Sequence, residues 1–348
     1  MYDPRMNALN FIRLMLAVSV IVWHSFPLTG NPVEWPALRQ ALGELGVDGF
    51  FAISGFLIYG SWKRNPSWWR YLAARALRIF PAFWVCLIVT AFLIAPITTA
   101  LVTGRSYLDV ISVENVKYVV QNAALRIFDH SIAGTPLNVP YPGYWNGSLW
   151  TLFWEFLCYL GVLALGLLAL YRFRATVPLI FGLTFLGLLA TAYGPVENYW
   201  AVHGSRFGIM FAAGMLIEQY ARRIPVSWPL LGAAAVVTAA SMLLPDYRVV
   251  GALPWAYLML GLGAMLKHPR LKLENDISYG VYIYGMPVQQ VLASFGLAAL
   301  GVPLFGILSI LLTLPLAAAS WFLLERHAMK LRPGRRVQRN VQTEAVAG

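Results

Sequence analysis

The sequence predicts an all-α, polytopic integral membrane protein of about ten transmembrane helices, with both ends on the cytoplasmic side. Three observations carry this. Of 348 residues, 59% are hydrophobic and 12% are charged, roughly half the ~25% charge of a soluble domain. Apolar stretches long enough to cross ~30 Å of hydrocarbon recur along the chain. Lys and Arg collect in alternate connections between those stretches.

The expected spans are 8–27, 46–61, 77–100, 148–170, 176–194, 204–220, 229–244, 249–267, 277–297 and 302–324. The second is the least apolar, because Gly46-Val47-Asp48-Gly49 is polar and glycine-rich. Pro81, Pro96 and Pro287 lie in or near spans, where neighbouring helices or water can satisfy the freed carbonyls. With the N-terminus inside, nineteen of the 26 Lys and Arg residues face the cytoplasm and five face outward. Arg13 and Arg206 lie within spans. An odd number of spans would put basic loops on the wrong side. The net charge of +11 therefore reads as anchoring beside anionic lipid and not as nucleic-acid binding.

The domain reading is one transmembrane domain over 1–331 and a disordered, basic cytoplasmic tail over 332–348. Cys86 and Cys158 fall in apolar spans and imply neither a disulfide nor a metal site. Residues 101–147 form one long outer loop. An amphipathic surface helix is expected over 113–128. The stretch 135–145 is rich in Pro, Gly, Tyr and Trp. It is either an interfacial anchor or a stacking platform for a sugar.

Ionisable residues inside the spans are the candidates for chemistry, because a central Arg costs roughly 2.5–3.5 kcal/mol to insert. Arg13 and His24 share the first span. Either they are functional, or Arg13 snorkels to the surface and His24 sits in water at the far end. A neutral imidazole can take a hydroxyl proton at neutral pH. Arg75 and Arg78 are three apart on a helix and share a face. They suit bidentate phosphate binding or a positive-inside anchor. Glu155 lies in an apolar span and must be paired, protonated or wet. It would orient or charge-balance His24, or pair with Arg206. Glu325 beside Arg326 reads most simply as an interfacial pair. Asp48, Ser54, Trp150, Tyr279 and, as the other reading of that residue, Glu325 are candidates to line a cavity.

Six segments together resemble the membrane acyltransferase family three, the polysaccharide O-acyltransferase-like integral membrane proteins. Arg13 and His24 match its Arg-x10-His. Residues 46–57 match its second span. Arg75 and Arg78, followed by Phe80-Pro81, match its Arg-x-x-Arg motif. Residues 148–155 match Ser-Leu-Trp-x-Leu-x-x-Glu. Ser278 to Tyr282 matches Ser-Tyr-x-x-Tyr, and Ser320 to Glu325 matches Ser-Trp-x-x-x-Glu. Each motif is weak alone, but six in order make a specific signal. One position departs: many members carry a histidine where this chain has Gly285.

The resemblance implies transfer of an acyl group from cytoplasmic acyl-CoA, commonly acetyl-CoA, to a hydroxyl of a surface or lipid-linked carbohydrate. It implies O-acetylation at the bacterial inner membrane, among membrane lipids and with no metal or nucleic acid. His24, supported by Glu155, is the candidate catalytic group. It acts as a base toward the acceptor or takes the acyl group itself. Arg13, Arg75 and Arg78 are the candidate donor-binding residues. A proton-coupled transporter using His24 and Glu155 is the alternative, though no repeated halves are evident.

Overall fold

A computed structural model describes residues 7–333 of the chain. All but the first two residues of the expected basic tail lie outside the described residues. Fifteen α-helices form the described structure, in the order α1 (Leu9–Leu28), α2 (Pro36–Gly43), α3 (Leu45–Arg64), α4 (Trp68–Val89), α5 (Ala95–Thr103), α6 (Tyr107–Val110), α7 (Val113–Asn122), α8 (Thr151–Leu167), α9 (Thr176–Ala192), α10 (Tyr199–Tyr220), α11 (Trp228–Ser241), α12 (Arg248–Met265), α13 (Ser278–Ser294), α14 (Gly301–Ser320) and α15 (Arg326–Lys330). No strand occurs among the described residues beyond an isolated bridge between Ile132 and Thr135.

Each of the ten expected apolar segments falls on a helix. Five helical units are long and apolar enough to cross a membrane: Leu9–Leu28, Leu45–Arg64, Trp68–Thr103, Arg248–Met265 and Leu297–Lys330. Three shorter apolar helices, α8, α9 and α11, accompany them. Leu179, Leu183 and Leu186 form an exposed stripe along α9, each more than 60% accessible. A continuous apolar face of this kind is what hydrocarbon covers.

The third segment is longer than the apolar pattern suggests. It begins at Trp68 and continues through a π-helical turn, Thr90–Ile94, into α5. Its basic end stays helical because Arg is a good helix former when its charge has a partner or water. The loop helix is shorter than expected and stops at Asn122. There the Asn122 carboxamide accepts from the backbone N–H groups of Phe128 and Asp129, and Leu125 takes a positive φ of 69°. Those side-chain bonds compete with the helix for its backbone partners.

Backbone-to-backbone contact sets the central crossing. A Cβ on Gly55 of α3 would lie 2.0 Å from the carbonyl oxygen of Phe211 on α10. A Cβ on Gly214 of α10 would lie 2.0 Å from that of Ala52 on α3. Only glycine permits this approach, the small-residue packing that membrane helices use. α1 packs against α3, α12, α13 and α14. Its two ionisable residues are therefore inside the bundle, roughly 16 Å apart along the helix.

Candidate active site

His24 stands where two cavities meet. The larger, about 840 Å³, is lined by Trp23, His24, Tyr144, Trp150, Trp200 and His203 among others. The second, about 320 Å³, shares Trp23, His24 and Trp150 with it. Among the described residues no protein group hydrogen-bonds the His24 ring. Its surroundings are nonetheless fixed. Gln289 on α13 donates to the carbonyl of Ile21 and to Ser25 Oγ, both at 2.9 Å. A buried amide so placed clamps the turn of α1 that presents the imidazole.

The cavities continue toward the other end of α1. The second shares Val47, Thr151 and Tyr282 with a smaller cavity lined by Arg13, Glu155 and Tyr279. His24 and Arg13 thus sit at two stations of one interior series. Glu155 accepts from Ser54 Oγ at 2.8 Å and from the Tyr159 hydroxyl at 2.5 Å. It reaches neither His24 nor Arg206. Arg206 instead lies 3.8 Å from Glu44 and 3.9 Å from Asp48.

The 148–155 motif is positioned by α13. Tyr282 donates to the Ser148 carbonyl at 2.8 Å and its hydroxyl contacts Thr151 Oγ1. Asn146 Nδ2 donates to the Ile283 carbonyl at 2.7 Å. This latch turns Trp150 into the cavity wall, its ring 4.8 Å from that of His203. Gly285 lies on the same helix, where a Cβ would meet Ile21 Cγ1 at 2.8 Å. The position that carries histidine in many relatives is packed against α1 here.

The loop from 123 to 150 forms one wall of the larger cavity. Gln290 donates to the carbonyls of Tyr141 and Tyr144 at 2.9 and 2.7 Å, tying it to α13. Trp145 is fully buried and donates to Thr135 Oγ1, so it is a structural pin. Tyr144 instead faces the cavity, with the His130 ring tilted against it at 4.5 Å between centroids. Burial lowers the His130 pKa below its usual value, and nearby Asp129 opposes the shift only in part.

At the Arg13 end a buried ion network replaces the expected free basic face. Arg13 pairs with Asp276 Oδ2. Arg78 Nη2 donates to the same oxygen at 2.6 Å, and its Nη1 reaches Glu325 at 3.1 Å. Glu325 therefore pairs with Arg78 and Ser320, not with Arg326. The π-helical turn Trp321–Glu325 turns it inward. Burial alone would raise the Asp276 carboxyl, but Arg13, Arg78 and two bonds from Ser278 hold it below the ordinary range. Arg75 lies over the Tyr71 ring at 5.9 Å with a buried Nε that has no partner among the described residues. The two arginines share a helix but have different surroundings.

Asp48 is fully buried, taking Arg248 Nε at 2.7 Å and the Tyr247 hydroxyl at 2.6 Å. Arg248 also holds Glu44 and Asp246. This cluster joins α3 to α12. Asp276 and Gln289 complete the site although the motifs do not single them out. A carboxylate two residues before Ser278 and two adjacent amides within an apolar helix were the available signals. Among the described residues no group of three His, Cys, Asp or Glu side chains is placed to hold a metal ion.

Comparison with known proteins matches this sequence to a family. The model of the acyltransferase domain matches residues 6–322. An O-acetyl transferase of Shigella phage Sf6 is 28% identical, covering 92% of this chain and 95% of that one. Nodulation protein 10 of Rhizobium leguminosarum bv. viciae is 29% identical, covering 94% of each. The exopolysaccharide production protein ExoZ of Rhizobium meliloti (strain 1021) is 26% identical, covering 91% of this chain and 97% of that one. No solved structure matches. With nearly its whole length accounted for, this chain belongs to the acyltransferase family, as a membrane protein whose activity is acyl transfer.

Proposed function

We propose that the protein transfers an acetyl group from cytoplasmic acetyl-CoA to a carbohydrate hydroxyl on the far side of a bacterial inner membrane. One observation carries this reading: His24 walls both the large aromatic chamber and the cavity leading toward Arg13. The acceptor would enter the chamber, where aromatic faces suit sugar rings. The donor would enter from the Arg13 end. Arg75, which has no carboxylate partner among the described residues, is the better placed cation for a phosphate of CoA, and Arg13 and Arg78 frame the entrance. In this reading ten spans cross the membrane with both ends inside, following the basic loops.

The imidazole then serves as general base. As the acceptor oxygen bonds to the thioester carbon, His24 takes the hydroxyl proton. The carbon–sulfur bond breaks, and the imidazolium returns the proton to the departing thiolate. The products are an acetyl ester and free CoA thiol. Glu155, bonded to Ser54 and Tyr159, orders the α3–α8 wall of the path and does not support His24 directly. The relatives named an O-acetyl transferase and an exopolysaccharide production protein are consistent with this chemistry.

The test is purified protein in proteoliposomes with labelled acetyl-CoA and a glycan extract from the parent cells. Label should enter glycan with release of one free thiol per ester. His24→Ala should lower kcat by roughly 10²–10⁴ while the protein remains folded. Thiol release with no ester formed, or a fully active His24→Ala protein, would overturn the reading.

A further inference from the structure

The two cavities that meet at His24 carry a surplus of positive charge. Their charged lining residues are Arg39, Arg126, Arg206 and Glu44. Glu44 is already held by Arg248. Among the described residues no carboxylate lines the larger chamber. Arg126 is its one permanently charged lining side chain, and it is exposed.

Arg126 is also held in place without being satisfied. Its guanidinium lies over the Phe128 ring at 4.8 Å and the Trp200 ring at 5.5 Å. Stacking of this kind fixes the plane of the group but uses none of its N–H donors. Among the described residues it has neither an ion-pair partner nor a hydrogen-bond acceptor. Asp129, three residues away, has its backbone N–H and C=O held by Asn122, and its carboxylate is not within ion-pair distance of Arg126. A planar, preoriented fork with free donors suits a bidentate oxyanion. Arg39, on α2 beside His24 and likewise without an acidic partner within ion-pair distance, adds to the field on the same side.

We infer that the acceptor is an acidic glycan, with a carboxylate or phosphate seated on Arg126 while a neighbouring hydroxyl meets His24. This rests on reading the chamber as the acceptor site. The anion gives the site a register. A bidentate contact fixes where along the glycan the acetyl group is placed, while the aromatic walls hold rings with little preference among neutral sugars. Exposed charges act only over about a Debye length, ~8 Å at physiological salt. The contribution is therefore local recognition more than long-range steering.

The experiment uses the full chain in nanodiscs of phosphatidylcholine, which offer no net anionic lipid. Labelled acetyl-CoA is supplied with the glycans of cells lacking the gene, separated on an anion exchanger into retained and unretained pools. Wild type, Arg126→Gln and Arg126→Lys are compared, with thermal unfolding measured on each. Label should enter the retained pool. Arg126→Gln should lower incorporation at subsaturating acceptor by about tenfold, with the acetyl-CoA KM unchanged, and Arg126→Lys should recover much of the loss. Label in the unretained pool, or an Arg126→Gln protein equal to wild type, overturns the inference and leaves acyl transfer standing. Lower unfolding temperature with unchanged incorporation per folded molecule assigns Arg126 to a lipid phosphate and also overturns it. No label in either pool from wild type overturns glycan transfer itself, and this inference with it.

Discussion

Arg78 on α4 and Asp276 ahead of α13 are joined by a 2.6 Å bond from Nη2 to Oδ2, and the same oxygen receives Arg13 from α1. One carboxylate thus ties together three segments that each carry a motif. Glu325 closes the network from the other side of Arg78. The result is two arginines and two carboxylates, balanced in charge and largely buried. The mouth of the proposed donor path is framed by groups that already satisfy one another.

Removing Asp276 should therefore damage the fold before it damages chemistry. Asp276→Ala would leave Arg13 uncompensated and Arg78 with Glu325 alone. Breaking a buried pair from one side costs about 3–5 kcal/mol. Thermal unfolding in detergent should show a clear loss of stability. An Asp276→Ala protein as stable as wild type would mean that the network is open to water.

Arg75 and Arg78 should separate on substitution. Arg78→Gln breaks two ion pairs and should lower stability. Arg75→Gln breaks none and should raise the acetyl-CoA KM, by up to about tenfold for one charge-assisted contact. Stability and donor kinetics on the same preparations give the comparison. Equal effects of the two substitutions on KM, with neither lowering stability, would return both to a shared phosphate site.

The crossing of α3 and α10 should not tolerate a methyl group. A Cβ at Gly55 or Gly214 would stand 2.0 Å from a carbonyl oxygen, and backbone cannot rotate away as a side chain can. Overpacking of this kind costs about 1–3 kcal/mol or more. Gly214→Ala should reduce the folded yield and the unfolding temperature. Gly232→Ala, where a Cβ meets nothing within 4 Å, is the matched control and should be neutral.

Much of this was legible in the sequence for a physical reason. Arg13, His24 and Glu155 stood out because charge in an apolar stretch is expensive. The helices followed from length and hydropathy. Partners were not legible. Arg78 and Asp276 are 198 residues apart, and no local pattern fixes which helices meet. Glu155 has a hydroxyl pair as its partners, where Arg206 and His24 were the obvious candidates by charge. In the loop, Trp145 and Tyr144 are adjacent, yet one is a buried pin and the other faces the cavity. An irregular segment has no period from which to read its faces. The acid at Glu325 pairs inward because a π turn shifts its register, and nothing in Ser320 to Arg326 announces that turn.

His130 supplies a pH test of the chamber loop. Its ring leans on Tyr144 at a tilt, with a buried Nδ1 that has no partner among the described residues, and burial holds its pKa below the ordinary 6.5. The sign follows directly. The unfolded chain binds the proton more readily, so the neutral ring contributes its full share of stability above pH 6.5. That share falls as the pH drops below 6.5 toward the folded value. The unfolding temperature of wild type should therefore decline on mild acidification. In His130→Phe, which keeps a ring against Tyr144 but cannot titrate, the part of the decline due to this group should be absent. An identical pH profile for the two proteins would mean that the His130 ring is as accessible in the folded chain as in the unfolded one.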